Sequence, residues 1–267
     1  MSDKSSIEWT DATWNPVTGC TQISPGCDHC YALTFAERFR GVPNHPYEQG
    51  FDLKLWPQRL ELPLQWKKPR RIFVNSMSDL FHKDIPEDYI RQVFDVMARA
   101  DWHVFQVLTK RSSRMARLGP SLPWPAHIWA GVSIESNQMV SRANHLRKVP
   151  ASVRFISAEP LLGPLDRLNL KDIHWLITGG ESGHKNRPCD PQWVRGLRDH
   201  CQDAGVAFFL KQWGGRTPKA NGRELDGRTW DQFPVTVPSP PKSPLSPDSR
   251  TSFGGRGGLR LRRNGLG

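Results

Sequence analysis

Cys20, Cys27 and Cys30 fall in one short stretch, Trp14-Asn-Pro-Val-Thr-Gly-Cys20-Thr-Gln-Ile-Ser-Pro-Gly-Cys27-Asp-His-Cys30-Tyr-Ala, with the spacing C-x6-C-x2-C. Cys27 and Cys30 fit one turn of chain around a single centre, and Gly19, Pro25 and Gly26 let the loop curl so that Cys20 reaches the same point. Three thiolates leave one position open. Structural zinc sites are closed by four protein ligands, whereas catalytic centres keep a place for water, substrate or cofactor. The count therefore points to a metal or cluster site that does chemistry, with a zinc site closed by His29 or His45 as the rival. A disulfide is disfavoured, because Cys189 and Cys201 are distant in sequence, the total of five is odd, and no signal peptide marks an oxidising compartment.

These cysteines need a scaffold, and the chain supplies a repeating one. Apolar, β-branched runs recur at Arg71-Ile-Phe-Val-Asn75, His103-Val-Phe-Gln-Val-Leu-Thr109, Ile128-Trp-Ala-Gly-Val-Ser-Ile134, Val153-Arg-Phe-Ile-Ser-Ala158, Trp175-Leu-Ile-Thr-Gly179 and Val206-Ala-Phe-Phe-Leu-Lys211. Helical patterns lie between them. Tyr31 to Arg40 reads as a short helix stopped by Gly41 and Pro43. Pro86 to Ala100 puts Tyr89, Val93, Val96, Met97 and Ala100 on one stripe, and Asp190-Pro191 starts another helix carrying Trp193, Val194, Leu197, Cys201 and Ala204. Strand and helix in alternation demand parallel pairing with both faces covered. An α/β fold with a partial or full parallel (β/α) barrel is expected, because the polar groups fall at the C-terminal ends of the strands, where a barrel has its mouth. Those groups are Asn75-Ser-Met-Ser-Asp79, Gln106, Thr109-Lys110, Ser133, Glu135, Ser157, Glu159 and Gly179-Gly-Glu-Ser182. If Glu8 to Trp14 forms the first strand, the cysteine loop leaves that same rim.

Length and charge set the outer bounds. A chain of 267 residues accommodates one large domain, and no apolar run approaches a membrane span, so a soluble, cytoplasmic protein with no membrane partner is expected. The net charge is +11, but Lys242, Arg250, Arg256, Arg260, Arg262 and Arg263 against Asp248 give the segment from Val235 onward +5 of it. That Pro/Ser- and Gly/Arg-rich tail, 235–267, has the composition of a disordered extension, and residues 1–234 are read as the folded domain. Basic clusters at Lys67-Lys-Pro-Arg-Arg71 and Lys110-Arg111 are either nucleic-acid contacts or solvated faces.

The chain resembles a family of phage- and bacterially encoded three-cysteine proteins of undefined function, similar to radical S-adenosylmethionine enzymes. The resemblance runs in order through Glu8-Trp-Thr, Trp14-Asn-Pro, Gly19-Cys20, Gly26-Cys27-x-x-Cys30-Tyr31-Ala32, Val74-Asn-Ser-Met-Ser-Asp-Leu-Phe-His82, Gln106-Val-Leu-Thr-Lys-Arg111, Gly131-Val-Ser, Ser157-Ala-Glu-Pro-Leu-Leu-Gly163, Gly179-Gly-Glu-Ser-Gly183, Trp193-Val-Arg and Lys211-Gln-Trp-Gly214. It covers Ile7 to about Pro234. It implies a radical-SAM-like barrel with a [4Fe-4S] cluster on Cys20, Cys27 and Cys30, and S-adenosylmethionine bound at the fourth iron. It also implies a 5′-deoxyadenosyl radical that removes a hydrogen atom from substrate. The first gap here is six residues, where radical enzymes usually have three.

Roles can be set out on that basis. His29 stands where radical enzymes place a ring against the adenine. Gly179 and Gly180 offer close backbone approach to a ligand, with Glu181 for its ammonium or ribose, and Asn75, Ser76, Ser78, Asp79, Ser133 and Ser182 complete the cofactor-binding set. Glu159 and Lys211 form an ion pair across the mouth or act in catalysis, and Cys189 is a candidate to return a hydrogen atom to product. The expected partners are an unidentified substrate, with DNA and RNA among the candidates, and an electron donor that reduces the cluster. Two rival functions stand beside the radical enzyme: a zinc-stabilised nucleic-acid-binding protein without catalysis, and a barrel hydrolase using Glu135, Glu159 or Glu181, which leaves the cysteines without purpose.

Overall fold

The computed structural model describes residues 5–235; the expectation for the tail lies outside these residues. Its strands are β1 (Ala12–Trp14), β2 (Val17–Thr18), β3 (Lys54–Leu55), β4 (Arg71–Val74), β5 (Val104–Thr109), β6 (Ile128–Ser133), β7 (Arg154–Ala158), β8 (Trp175–Gly179), β9 (Ala207–Gln212), β10 (Glu224–Leu225) and β11 (Arg228–Thr229). Its helices are α1 (Tyr31–Glu37), α2 (Leu62–Gln65), α3 (Glu87–Arg99), α4 (Ser112–Leu118), α5 (Ser141–Leu146) and α6 (Pro191–Asp203). Seven strands form one wholly parallel sheet in the order β1-β4-β5-β6-β7-β8-β9, with no pairing of β9 back to β1. The barrel is therefore partial, and the fold is α/β.

Period-two alternation divides each strand between two cores. Ile72, Val74, Phe105, Val107, Ile156, Leu176, Phe208 and Leu210 pack on the helix side. Phe73, Trp129, Phe155, Trp175, Ile177 and Phe209 fill the lumen. Continuing the lumen-facing row two residues at a time, Phe73 gives way to Asn75, Trp129 to Gly131 and Ser133, Phe155 to Ser157 and Glu159, and Phe209 to Lys211. Each strand thus runs from an aromatic floor to a polar rim. Gly131 carries no side chain because the Phe155 ring lies across it: a Cβ there would be 2.3 Å from that ring.

The first strand is shorter than expected, covering only residues 12–14 of the 8–14 run. Trp9 explains the difference. Its ring turns into the lumen, 4.7 Å from Phe73 and 6.1 Å from Trp175 between centroids, so the chain before β1 plugs the barrel instead of extending the sheet. The helices follow their end signals. Glu87 and Asp88 occupy the first turn of α3 and Arg99 its last, and the Asp190 carboxylate accepts from Gln192 N at 2.8 Å to cap α6 behind Pro191. α4 and α5, at seven and six residues, are too short to leave a periodic signature. No helix among the described residues is long and apolar enough to cross a membrane.

Candidate functional site: a cysteine loop strapped over the barrel mouth

β2 and β3 pair antiparallel and pinch the base of a long excursion between Gly19 and Leu53 that carries the three cysteines and α1. Gly19 makes the exit. Its φ is +83°, and an added Cβ would lie 2.2 Å from the Asp52 carbonyl, so only glycine permits this approach. Its amide donates to Met77 O at 3.0 Å, which puts Cys20 beside the loop that follows β4.

Two arginines fasten the loop down from opposite sides. Arg111, just beyond β5, donates through Nη2 to Thr21 O at 2.8 Å and Thr21 Oγ1 at 3.0 Å, and through Nη1 to Cys20 Sγ at 3.3 Å. It pairs with Asp79 at 3.1 Å. Arg187 donates to Pro25 O at 2.9 Å, approaches Asp28 at 3.4 Å and pairs with Glu181 at 2.6 Å. Glu181 Oε2 also accepts from His29 Nδ1 at 2.8 Å. Burial opposes ionisation of Glu181, but the bonds from Arg187 and His29 outweigh it and hold the carboxyl below its ordinary value. A third anchor lies beneath. Ser24 Oγ donates to Glu135 Oε1, and the fully buried Glu135 is neutralised by Arg142 at 2.8 Å. A Cβ on Gly26 would be 3.0 Å from the Glu135 carboxyl, so glycine lets the loop settle onto it.

Beneath the loop opens a cavity of about 640 Å³. Cys20, Cys27 and Cys30 all line it, with Asn75, Ser76, Ser78 and Asp79 after β4, Ser133, Glu159 and Ser182 at other strand ends, and Lys211 of β9. Trp9 and Phe73 form its floor. Glu159 and Lys211 are paired at 3.1 Å. The Asn75 amide is 2 % exposed, yet neither its Oδ1 nor its Nδ2 has a partner; Gln212 Oε1, also on the cavity, has none either. Buried amides without partners cost free energy unless something in the cavity meets them.

Four candidate residues, Gly179, Gly180, Glu181 and His29, are not part of the lining. Glu181 and His29 belong to the strap. A Cβ on Gly180 would meet the Trp213 carbonyl at 2.1 Å, and one on Gly179 would lie 2.9 Å from the Glu159 carboxylate and 3.2 Å from the Gln212 carbonyl, so the pair lets the end of β8 lie close to β9 and to Glu159. Cys189 sits outside the cavity as well, packed on the helix-side core and beside Gly180, with burial pushing its thiol up to about 11. Arg111, Arg187 and Glu135 were not picked out as loop anchors from sequence, where Lys110-Arg111 reads as a basic surface cluster. Arg111 is instead turned inward, its side chain 10 % exposed.

The donor set bears on what the site holds. A single tetrahedral zinc draws its thiolates to within about 4 Å of one another. Among the described residues no group of three or more His, Cys, Asp or Glu side chains is drawn together closely enough to hold a metal ion. The cysteines are all free and half-buried, spread around one cavity. A multi-iron cluster gives each thiolate its own iron, so its ligands stand further apart than those of a single ion. Burial and the nearby Asp79 raise the Cys20 thiol to about 11 despite Arg111.

A partial parallel barrel bearing a three-cysteine excursion on its C-terminal rim defines the class: an α/β protein with an open parallel barrel. Residues 4–234 match the family described as "Protein of unknown function (DUF5131)", and the chain belongs to that family. Among solved structures it is similar to spore photoproduct lyase complexed with dinucleoside spore photoproduct, with a TM-score of 0.50 and 11% identity over 74% of this chain and 75% of that one. At that identity the likeness concerns the fold. No curated protein matches the chain.

Proposed function

We propose that this protein is an iron–sulfur enzyme of the radical S-adenosylmethionine type, holding a [4Fe-4S] cluster on Cys20, Cys27 and Cys30. The observation that carries the reading is the convergence of three free cysteines on one cavity that also contains the unpartnered amide of Asn75. When bound, the cluster and S-adenosylmethionine supply a 5′-deoxyadenosyl radical able to remove a hydrogen atom from a substrate. The chain's own residues do the rest. Asn75, Ser76, Ser78 and Ser133 offer neutral hydrogen-bonding groups to the cofactor, and Ser182 Oγ accepts from Gln212 Nε2 at 2.7 Å and so fixes that amide at the cavity wall. The Glu159–Lys211 pair places opposite charges at one wall without adding net charge, suited to orienting a polar substrate. Trp9 and Phe73 close the floor against water from below, which protects a reactive intermediate.

The substrate is proposed to be nucleic-acid-derived, on the strength of the dinucleoside bound to the structural neighbour. An electron donor is required as a partner to reduce the cluster. The test is anaerobic incubation of reconstituted protein with a one-electron reductant and S-adenosylmethionine. Release of 5′-deoxyadenosine above the level of a Cys27→Ala variant is expected. No release from a protein that carries its cluster overturns the S-adenosylmethionine assignment.

A further inference from the structure

Arg111 is held against one sulfur of the trio by its surroundings. Its Nη1 lies 3.3 Å from Cys20 Sγ, while the same guanidinium is pinned by Asp79 at 3.1 Å, Thr21 O at 2.8 Å and Thr21 Oγ1 at 3.0 Å. Asp79 is itself fixed, accepting from Thr109 Oγ1 at 2.7 Å, Lys110 N at 3.0 Å and Phe81 N at 3.0 Å. The guanidinium therefore cannot turn from the sulfur without breaking several charge-assisted bonds at once. Cys27 Sγ has the Ser24 hydroxyl as its hydrogen-bond partner, at 3.9 Å, and among the described residues no other charged side chain hydrogen-bonds a sulfur of the three. Arg187 provides a natural comparison, since it straps the same loop through Pro25 O without touching a sulfur.

Resting on the cluster assignment above, we propose that Arg111 sets the reduction potential of the centre by donating a charged hydrogen bond to the Cys20 sulfur. The physical basis is that a positive donor withdraws electron density from a thiolate and favours the added electron, and cluster potentials follow net charge and hydrogen bonds to the sulfurs. Asp79 balances the charge of the pair and accepts from the same Nη1 at 3.1 Å, so that nitrogen shares its hydrogens between the carboxylate and the sulfur. Arg111 is thus a positioning residue acting on the cluster, not one that touches substrate.

The experiment is spectroelectrochemical titration of the anaerobically reconstituted full chain, comparing wild type with Arg111→Met, Arg111→Lys and Arg187→Met. Arg111→Met is expected to lower the ratio of reduced to oxidised cluster about tenfold at a fixed poise, a fall of ~59 mV for a one-electron couple. Arg111→Lys, which keeps the charge but not the fork, falls by less. Arg187→Met keeps the wild-type potential even where the loop loosens and cluster content drops. An unchanged potential in Arg111→Met, or an equal fall in Arg187→Met, overturns the proposal. So does loss of the cluster from both Arg111 variants while Arg187→Met retains it, since that result assigns Arg111 to holding the loop. Wild-type protein without any iron–sulfur signal is a separate outcome: it refutes the cluster assignment itself and with it this inference.

Discussion

Replacing Glu181 with Gln tests whether the cysteine loop is held by the Arg187 strap. The change keeps side-chain volume but removes the charge that pairs with Arg187 at 2.6 Å and accepts from His29 at 2.8 Å. Breaking a buried ion pair costs about 3–5 kcal/mol. Here Glu181 is buried but Arg187 is 30 % exposed and retains Asp28 and the Pro25 carbonyl, so solvent and these partners recover part of the loss. About 2 kcal/mol remains by that reasoning. If it falls on opening of the loop, the open population rises roughly 30-fold, each 1.4 kcal/mol being tenfold. The assay is the rate at which a thiol reagent modifies Cys27 and Cys30 in cluster-free protein, beside thermal unfolding. The pH dependence has a definite sign. The Glu181 carboxyl is held below its ordinary value of 4.5, so its stabilisation is complete above that value and lost as pH falls through the depressed one. The gap between wild type and variant is therefore full at pH 7 and narrows as pH falls below 4.5. Equal labelling rates at pH 7 refute the strap.

Other consequences follow from the same geometry. Gly131→Ala drives a methyl into the Phe155 ring, and urea unfolding is expected to show a loss of about 2 kcal/mol or more. Gly196→Ala, inside α6 with open space around it, is expected to gain about 0.5–1 kcal/mol in the same assay. A double-mutant cycle of Glu159→Gln and Lys211→Met is expected to show coupling of roughly 1 kcal/mol; additive effects contradict a functional pair. Cys201, fully buried with its thiol pushed up to about 12, is expected to resist alkylation at pH 8 under conditions that modify Cys27 and Cys30.

The barrel strands were readable because each is a short apolar run bounded by turns, and the lumen-facing row carries its own record of the change from aromatic floor to polar rim. Phe155-Ile-Ser157-Ala-Glu159 shows it in five residues. The straps were not readable. Arg111 reaches back 91 residues to Cys20 and Arg187 162 residues to Pro25, and neither distance leaves a local pattern in the chain. Ser24 and Glu135, 111 residues apart, are hidden for the same reason. The Gly179-Gly180 pair is half-readable: from sequence a missing side chain marks close approach without saying to what, and the structure sets Gly180 against the Trp213 carbonyl beyond the neighbouring strand. Trp9 shows the limit of periodicity, since a residue that fits a strand pattern can instead fill the space that the sheet encloses.

Iron and acid-labile sulfide per chain, measured on anaerobically purified and reconstituted protein together with the electron paramagnetic resonance spectrum of its reduced state, test the central assignment most directly. About four of each are expected for the wild type, with the reduced-cluster signal absent when Cys20, Cys27 and Cys30 are replaced by Ala. A colourless protein that takes up one zinc, or an iron–sulfur signal that survives loss of all three thiols, contradicts it.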